Sequence, residues 1–187
     1  VVESSDEELV ARLRAAEASA FDLVYARYRA PLFAFLLRLC GRRWLAEDLL
    51  QETWLRLARS ATDLPADTRI RPWLYTVARN LFISYRRWAI LDADRLRELG
   101  LWPGGGSETA TPFEHFAGSE TQRRLERALA RLPLEHREVL LLVAVEQLEP
   151  VDAARVLGIK PEALRQRLSR ARGILKKELE QKQRTRT

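Results

Sequence analysis

Between Arg69 and Leu91 the chain carries five arginines (Arg69, Arg71, Arg79, Arg86 and Arg87) and no acid. At helical spacing, Thr76, Arg79, Asn80, Ile83, Arg86 and Arg87 share one face. Leu74, Val77, Ala78, Leu81, Tyr85 and Trp88 form the apolar stripe opposite. Guanidinium forks hold phosphate oxygens, and a side-chain amide offers a base edge both a donor and an acceptor. A solvated helix face ordinarily mixes signs in ion pairs. An all-arginine face with an embedded amide therefore points to nucleic acid. Trp73 could stack on a base, but an aromatic beside a core stripe is first of all a packing residue.

A second cationic constellation lies near the C-terminus. Pro150 to Leu157 predicts a short helix with small Ala153 and Ala154, Gly158 a turn, and Pro161 the start of a long helix to about Glu180. That order is the helix-turn-helix plan. Leu164, Leu168, Ala171 and Leu175 form the buried stripe of the second helix. Arg165, Gln166, Ser169 and Arg170 then face outward near its start, where such a helix reaches base edges in the major groove. Arg172, Lys176 and the tail KQRTRT add cations for phosphate. From Arg155 to Thr187 eleven basic residues stand against three acids. An αα-hairpin used only for packing is the plainer alternative.

Glu47, Asp48, Gln51 and Glu52, beside Leu55, make an acidic surface that duplex DNA would repel. It faces either water or a basic protein partner.

Other chemistries lack their residues. One cysteine, Cys40, supports neither a disulfide framework nor a Cys-based zinc site. His115 and His136 stand 21 positions apart with no Cys near either, so no metal, cofactor or catalytic constellation is expected. No apolar run approaches the ~18 residues of a membrane span, and the acidic start VVESSDEELV is unlike a signal peptide. A soluble, cytoplasmic protein is expected. The 187 residues carry a net charge of +6, and 28 of the 32 basic residues are Arg, which suits a nucleic-acid partner but also fits an Arg-rich genome.

These residues must be held by helices, because period-two alternation is absent and an all-α chain is predicted. Ser5-Asp6-Glu7-Glu8 opens a helix to about Ala16, and a second runs from about Ala18 to Leu39, ended by Gly41. A third spans about Leu45 to Ser60 with Leu50, Trp54 and Leu57 buried, and a fourth spans 72–91. A strongly apolar helix covers Leu134 to Gln147. Gly and Pro cluster from Gly100 to Gly118. The expected organisation is two small helical domains, 5–91 and 120–182, joined by a flexible linker, 92–119, with a basic tail, 183–187.

Residues 21–88, with A-E-D-L-L-Q-E at 46–52 and P-W-L-Y-T-V-A-R-N at 72–80, resemble region 2 of bacterial sigma factors of the extracytoplasmic-function (ECF) group. Residues 132–179, with L-P-L-E-H-R-E-V, L-G-I and R-Q-R-L-S-R-A-R, resemble region 4 of the same group. The chain departs from the family pattern at Ala18-Ser19, Glu149-Pro150 and Ala153, positions of helix start and packing rather than DNA contact.

The resemblance implies a non-catalytic initiation factor that recruits RNA polymerase core to a promoter class and assists opening. It implies that Asp48, Gln51, Glu52 and Leu55 meet the clamp helices of the largest polymerase subunit. Loop 62–71 and the fourth helix would read the −10 element, with Asn80 lining the pocket of a flipped base, Arg79, Arg86 and Arg87 on phosphates, and Thr76 and Trp73 beside them. Arg165, Gln166, Ser169, Arg170, Arg172 and Lys176 would hold the −35 duplex, the linker would follow the nascent RNA path, and an anti-sigma partner is expected. The alternatives are a stand-alone helix-turn-helix regulator with a helical sensor domain, and a protein-binding decoy of a sigma factor.

Overall fold

The computed structural model describes residues 5–98 and 119–184. The segment 99–118, which holds most of the expected linker, and residues 185–187 of the expected tail lie outside the described residues. Every described element is a helix or helical turn.

Helix α1 (Asp6–Arg14) begins where the Ser5 side chain accepts the Glu8 amide at 3.2 Å, with three acids in its first turn facing the positive end of the helix dipole. Helix α2 (Ala18–Cys40) stops at Gly41, whose φ of 74° is a left-handed conformation that glycine adopts without Cβ strain. Helix α3 (Arg43–Ser60) and helix α4 (Ile70–Glu98) complete the first unit, with α2, α3 and α4 packed pairwise and α1 against α2 and α4. Its core is Val24, Leu32, Phe35 and Leu36 of α2, Leu45, Leu49 and Leu57 of α3, and Leu74, Tyr75, Ala78 and Phe82 of α4.

That last set differs from the expected stripe. Tyr75 and Phe82 are buried, whereas Trp88 is 65% exposed. Helix α4 is covered on two sides, by α2, where Tyr75 meets Phe35 edge to face at 5.1 Å, and by the second unit. It also runs on to Glu98, into the segment expected as linker. On α3, Leu49 rather than Leu50 is the buried leucine.

The second unit comprises α5 (Glu120–Arg131), capped by Ser119, then α6 (Leu134–Leu140), α7 (Pro150–Leu157) and α8 (Pro161–Arg184). The single helix expected from Leu134 to Gln147 is interrupted by a π turn over Leu141–Val145. There the Glu146 amide donates to Leu141 O at 2.8 Å and the Leu148 amide to Leu142 O at 2.9 Å. Gln147 follows with φ 51°, rare for a residue with a Cβ. Gly158, φ 66°, makes the expected turn, and buried Ala153 and Ala154 permit a close crossing by α7. The two units are not separate in space. Helix α7 packs on α4, α6 touches α2, and one continuous apolar core runs through both.

Candidate nucleic-acid and polymerase interfaces

On α8, Leu164 and Ala171 are fully buried and Leu168 and Leu175 pack half-buried beside them. This anchors the opposite face outward, and Arg165, Gln166, Ser169 and Arg170 are all exposed. Arg165 has only a loose partner, Glu162 at 3.6 Å on the same helix. Arg172 and Lys176 are exposed as well, but they line a groove of about 530 Å³ between α8 and α5, floored by Leu125, Leu175 and Leu179.

The α4 face divides. Asn80, Arg86 and Arg87 are exposed, with Arg86 6.0 Å from the Phe82 ring centre. The Thr76 hydroxyl donates to Pro72 O at 2.8 Å, within its own helix. Arg79 is not open. Its guanidinium grips Glu138 of α6 at 2.8 and 3.3 Å, with only 18% and 3% of the two side chains exposed. Trp73 and Thr76 line a cleft of about 560 Å³ with Pro65, Asp67, Thr68 and Arg69, and Arg155 of α7 closes one edge. Asn80 is not among its lining residues. Asp67 and Thr68 lie in the loop 62–71 that the resemblance assigns to the −10 element, but the sequence reading singled out neither, because a loop has no period to reveal them.

On α3, Asp48, Gln51 and Leu55 are exposed. Glu47 pairs with Arg43 at 2.8 Å and Glu52 with Arg56 at 3.3 Å, surface pairs of the i,i+4 kind that hold little free energy and exchange readily. Beside them, Leu50, Trp54, Leu55 and Ala58 join Phe21 and Tyr25 of α2 in an apolar groove of about 410 Å³. Tyr25 stacks tilted on Trp54 at 5.0 Å and Phe21 meets it edge-on at 6.2 Å. The buried Trp54 Nε1 finds no acceptor among the described residues. Phe21 and Tyr25 come from another helix, so the α3 pattern alone could not join them to the acidic row.

A row of polar contacts joins the units. Arg38 holds Glu126 at 2.7 Å, Arg79 holds Glu138, Arg69 pairs with Asp152, and Arg71 donates to Glu146 O. The Tyr75 hydroxyl donates to the Glu146 carboxylate, and Arg137 donates to Arg38 O and Leu39 O at 3.4 and 3.3 Å. Burial raises the pKa of both Tyr75 and Glu146, and it also pushes the Cys40 thiol up, away from nucleophilic use. Among the described residues no three His, Cys, Asp or Glu gather to hold a metal, and no helix is long and apolar enough to cross a membrane.

Residues 24–89 match the family model of Sigma-70 region 2, and residues 122–175 match that of Sigma-70, region 4. The chain is 32% identical over 175 residues to the ECF RNA polymerase sigma factor SigM of Mycobacterium tuberculosis (strain ATCC 25618 / H37Rv), covering 92% of this chain and 84% of that protein. It is 34% identical over 163 residues to the RNA polymerase sigma factor CarQ of Myxococcus xanthus, covering 85% and 88%. The solved structure of the sigma factor RpoE in complex with the anti-sigma factor NepR from Bartonella quintana is matched with a TM-score of 0.73 at 26% identity, over 87% of this chain and 98% of that one. With region 2 on the first helical unit, region 4 on the second, and relatives similar over most of their length, the chain belongs to the ECF sigma factors of the sigma-70 superfamily, non-catalytic subunits that direct RNA polymerase to promoters.

Proposed function

We propose that the three surfaces divide promoter recognition among them. The start of α8 enters the −35 major groove, where Arg165 and Arg170 take guanine edges and Gln166 adenine. The observation that carries this is the exposed row Arg165, Gln166, Ser169 and Arg170, set beyond the left-handed Gly158 turn. The cleft before α4 receives a base unstacked from the −10 element, between Trp73 and the Asp67–Thr68 backbone. A carboxylate accepts from an exocyclic amino group, so Asp67 disfavours thymine there. Asn80 lies one helical turn beyond Thr76 and meets the next nucleotide, while Arg86 and Arg87 hold phosphates.

The α2/α3 groove, lined in part by Gln51, docks on the clamp helices of RNA polymerase core together with Asp48 and Glu52 of the same helix α3. An apolar floor and labile acidic pairs suit a basic amphipathic helix. An anti-sigma factor is the further partner, as the Bartonella relative forms such a complex. Footprinting of the reconstituted holoenzyme on a promoter selected with it tests the division. Protection of both elements, with a permanganate-reactive base in the −10 element, is expected. Protection of the −35 element alone would remove the −10 assignment.

A further inference from the structure

A further pocket lies between the end of α2, the start of α3, the middle of α4 and the start of α6. It holds about 410 Å³, within the range of small-molecule sites. Arg42, Arg86 and Arg137 line it, and no acid does. Elsewhere between the units arginines meet carboxylates, Arg38 with Glu126, Arg69 with Asp152 and Arg79 with Glu138. Here, among the described residues, no carboxylate pairs with any of the three. Arg137 is half-buried and donates only to carbonyls at the ends of α2 and α5: Arg38 O and Leu39 O at 3.4 and 3.3 Å, Leu132 O at 3.1 Å, and Ala130 O. Its Nε is buried without an acceptor among the described residues. Those carbonyls orient the guanidinium and leave its charge in place. Burial lowers its pKa, and the positive charge of Arg86 adds to the shift. Capping two helix ends accounts for Arg137, but the Arg42 and Arg86 side chains make no hydrogen bond among the described residues.

The other walls are apolar and aromatic. Leu45 and Phe82 are buried, and the half-buried Tyr85 ring, edge to face with Trp44 at 6.4 Å, forms one side. Ala89, one turn beyond Tyr85 and exposed, adds little bulk beside that ring. We propose that this pocket is a binding site for a nucleotide carrying a diphosphate, its phosphates on Arg42, Arg86 and Arg137 and its base against Tyr85. Guanidinium forks take phosphate oxygens in pairs, and three forks brought together by different elements suit a chain of phosphates better than one carboxylate. Stacking on an aromatic side chain tolerates any base. Walls from both units fit a short ligand better than a continuous strand. An occupied pocket engages Arg86 and withholds one phosphate contact from promoter DNA. That consequence alone rests on Arg86 meeting the −10 strand; the site does not.

Cys40 is the chain's single cysteine and lines the same cavity, so it reports occupancy in place. In the full chain its alkylation by iodoacetamide, an uncharged reagent, is followed above pH 8, because burial raises the thiol pKa. ADP and GDP should each slow alkylation at least fivefold. Adenosine should leave it unchanged, and inorganic pyrophosphate should need at least a tenfold higher concentration for the same protection. By calorimetric titration, Arg42→Gln should weaken ADP binding at least tenfold, and Ala89→Phe, which fills the cavity, should abolish it. Arg14→Gln, an exposed charge-matched control on α1, should bind ADP as the wild type does. Circular dichroism checks that each variant is folded. Four results would each overturn the proposal: no protection by either nucleotide, equal protection by pyrophosphate and ADP, ADP binding unchanged in Arg42→Gln, or stronger protection by a mixed-sequence single-stranded 20-mer than by ADP. The nucleotide measurements contain no DNA, so they stand apart from the promoter reading, which run-off transcription reports separately.

Discussion

The hydroxyl of Tyr75 donates to the carboxylate of Glu146, 71 positions further along the chain, at a point where both side chains are buried. This bond joins the middle of α4 to the end of the irregular turn of region 4. Burial disfavours the Glu146 carboxylate and raises its pKa, although Tyr75, Arg38 and Arg71 partly oppose the shift. A carboxyl whose pKa is raised on folding stabilises the folded state fully below its ordinary range and loses that contribution as pH rises through the raised value. Glu146→Gln keeps an acceptor for Tyr75 and has no charge to bury. Its unfolding free energy should exceed the wild type's by roughly 1 kcal/mol at pH 8, with the gap closing as pH falls towards 5. Urea unfolding at several pH values measures this. A gap that widens on acidification contradicts the assignment.

Asp48 and Glu52 lie off the buried Leu49, Trp54 and Leu57 positions of α3. Asp48→Arg and Glu52→Arg should each weaken binding to core polymerase at least tenfold, with unchanged circular dichroism and urea midpoint. Wild-type retention of core in a pull-down by both variants would move the docking surface elsewhere.

Arg165→Ala and Arg170→Ala should each cost about 1–3 kcal/mol of discrimination at one −35 base pair. Lys177→Ala should weaken binding about equally on all sequences and lower the salt slope by roughly one. Holoenzyme binding to a −35 library at several salt concentrations separates the two patterns. The same pattern for all three variants would place no base contact on α8.

Within the −10 element, Asp67→Ala should abolish the preference at one position, and Asn80→Ala should relax the adjacent one. Arg87→Ala should lower output from every promoter by a similar factor, more so at high salt. Transcription from a library varied at each −10 base measures all three. A uniform loss for Asp67→Ala would take the flipped base out of the cleft.

The helices were legible because their ends are marked locally. The Ser5 cap, the left-handed Gly41 and Gly158, and Pro150 and Pro161 in first turns stand where the residues predicted them. The exposed start of α8 followed from the Leu164 and Ala171 spacing alone. What was not legible depends on partners distant in the chain. Tyr75 looks like an off-stripe residue until α2 and the second unit cover it from two sides. Arg79 reads as a free cation because Glu138 lies 59 positions away. The π turn at Leu141–Val145 is written in no periodicity, since its residues are apolar whichever ladder they join. The cleft beside Trp73 is built by a loop together with the start of α4, and Asn80, legible as an amide on an arginine face, lies outside it.

Run-off transcription with purified core polymerase tests the central claim most directly. With this protein added, core should initiate at discrete start sites preceded by shared −35 and −10 elements, and Asp48→Arg should abolish those transcripts at equal protein concentration. Binding to duplex DNA with no promoter-specific initiation would contradict the account and describe a stand-alone regulator. Inhibition of initiation by another sigma factor, without transcripts of its own, would contradict it too and describe a decoy.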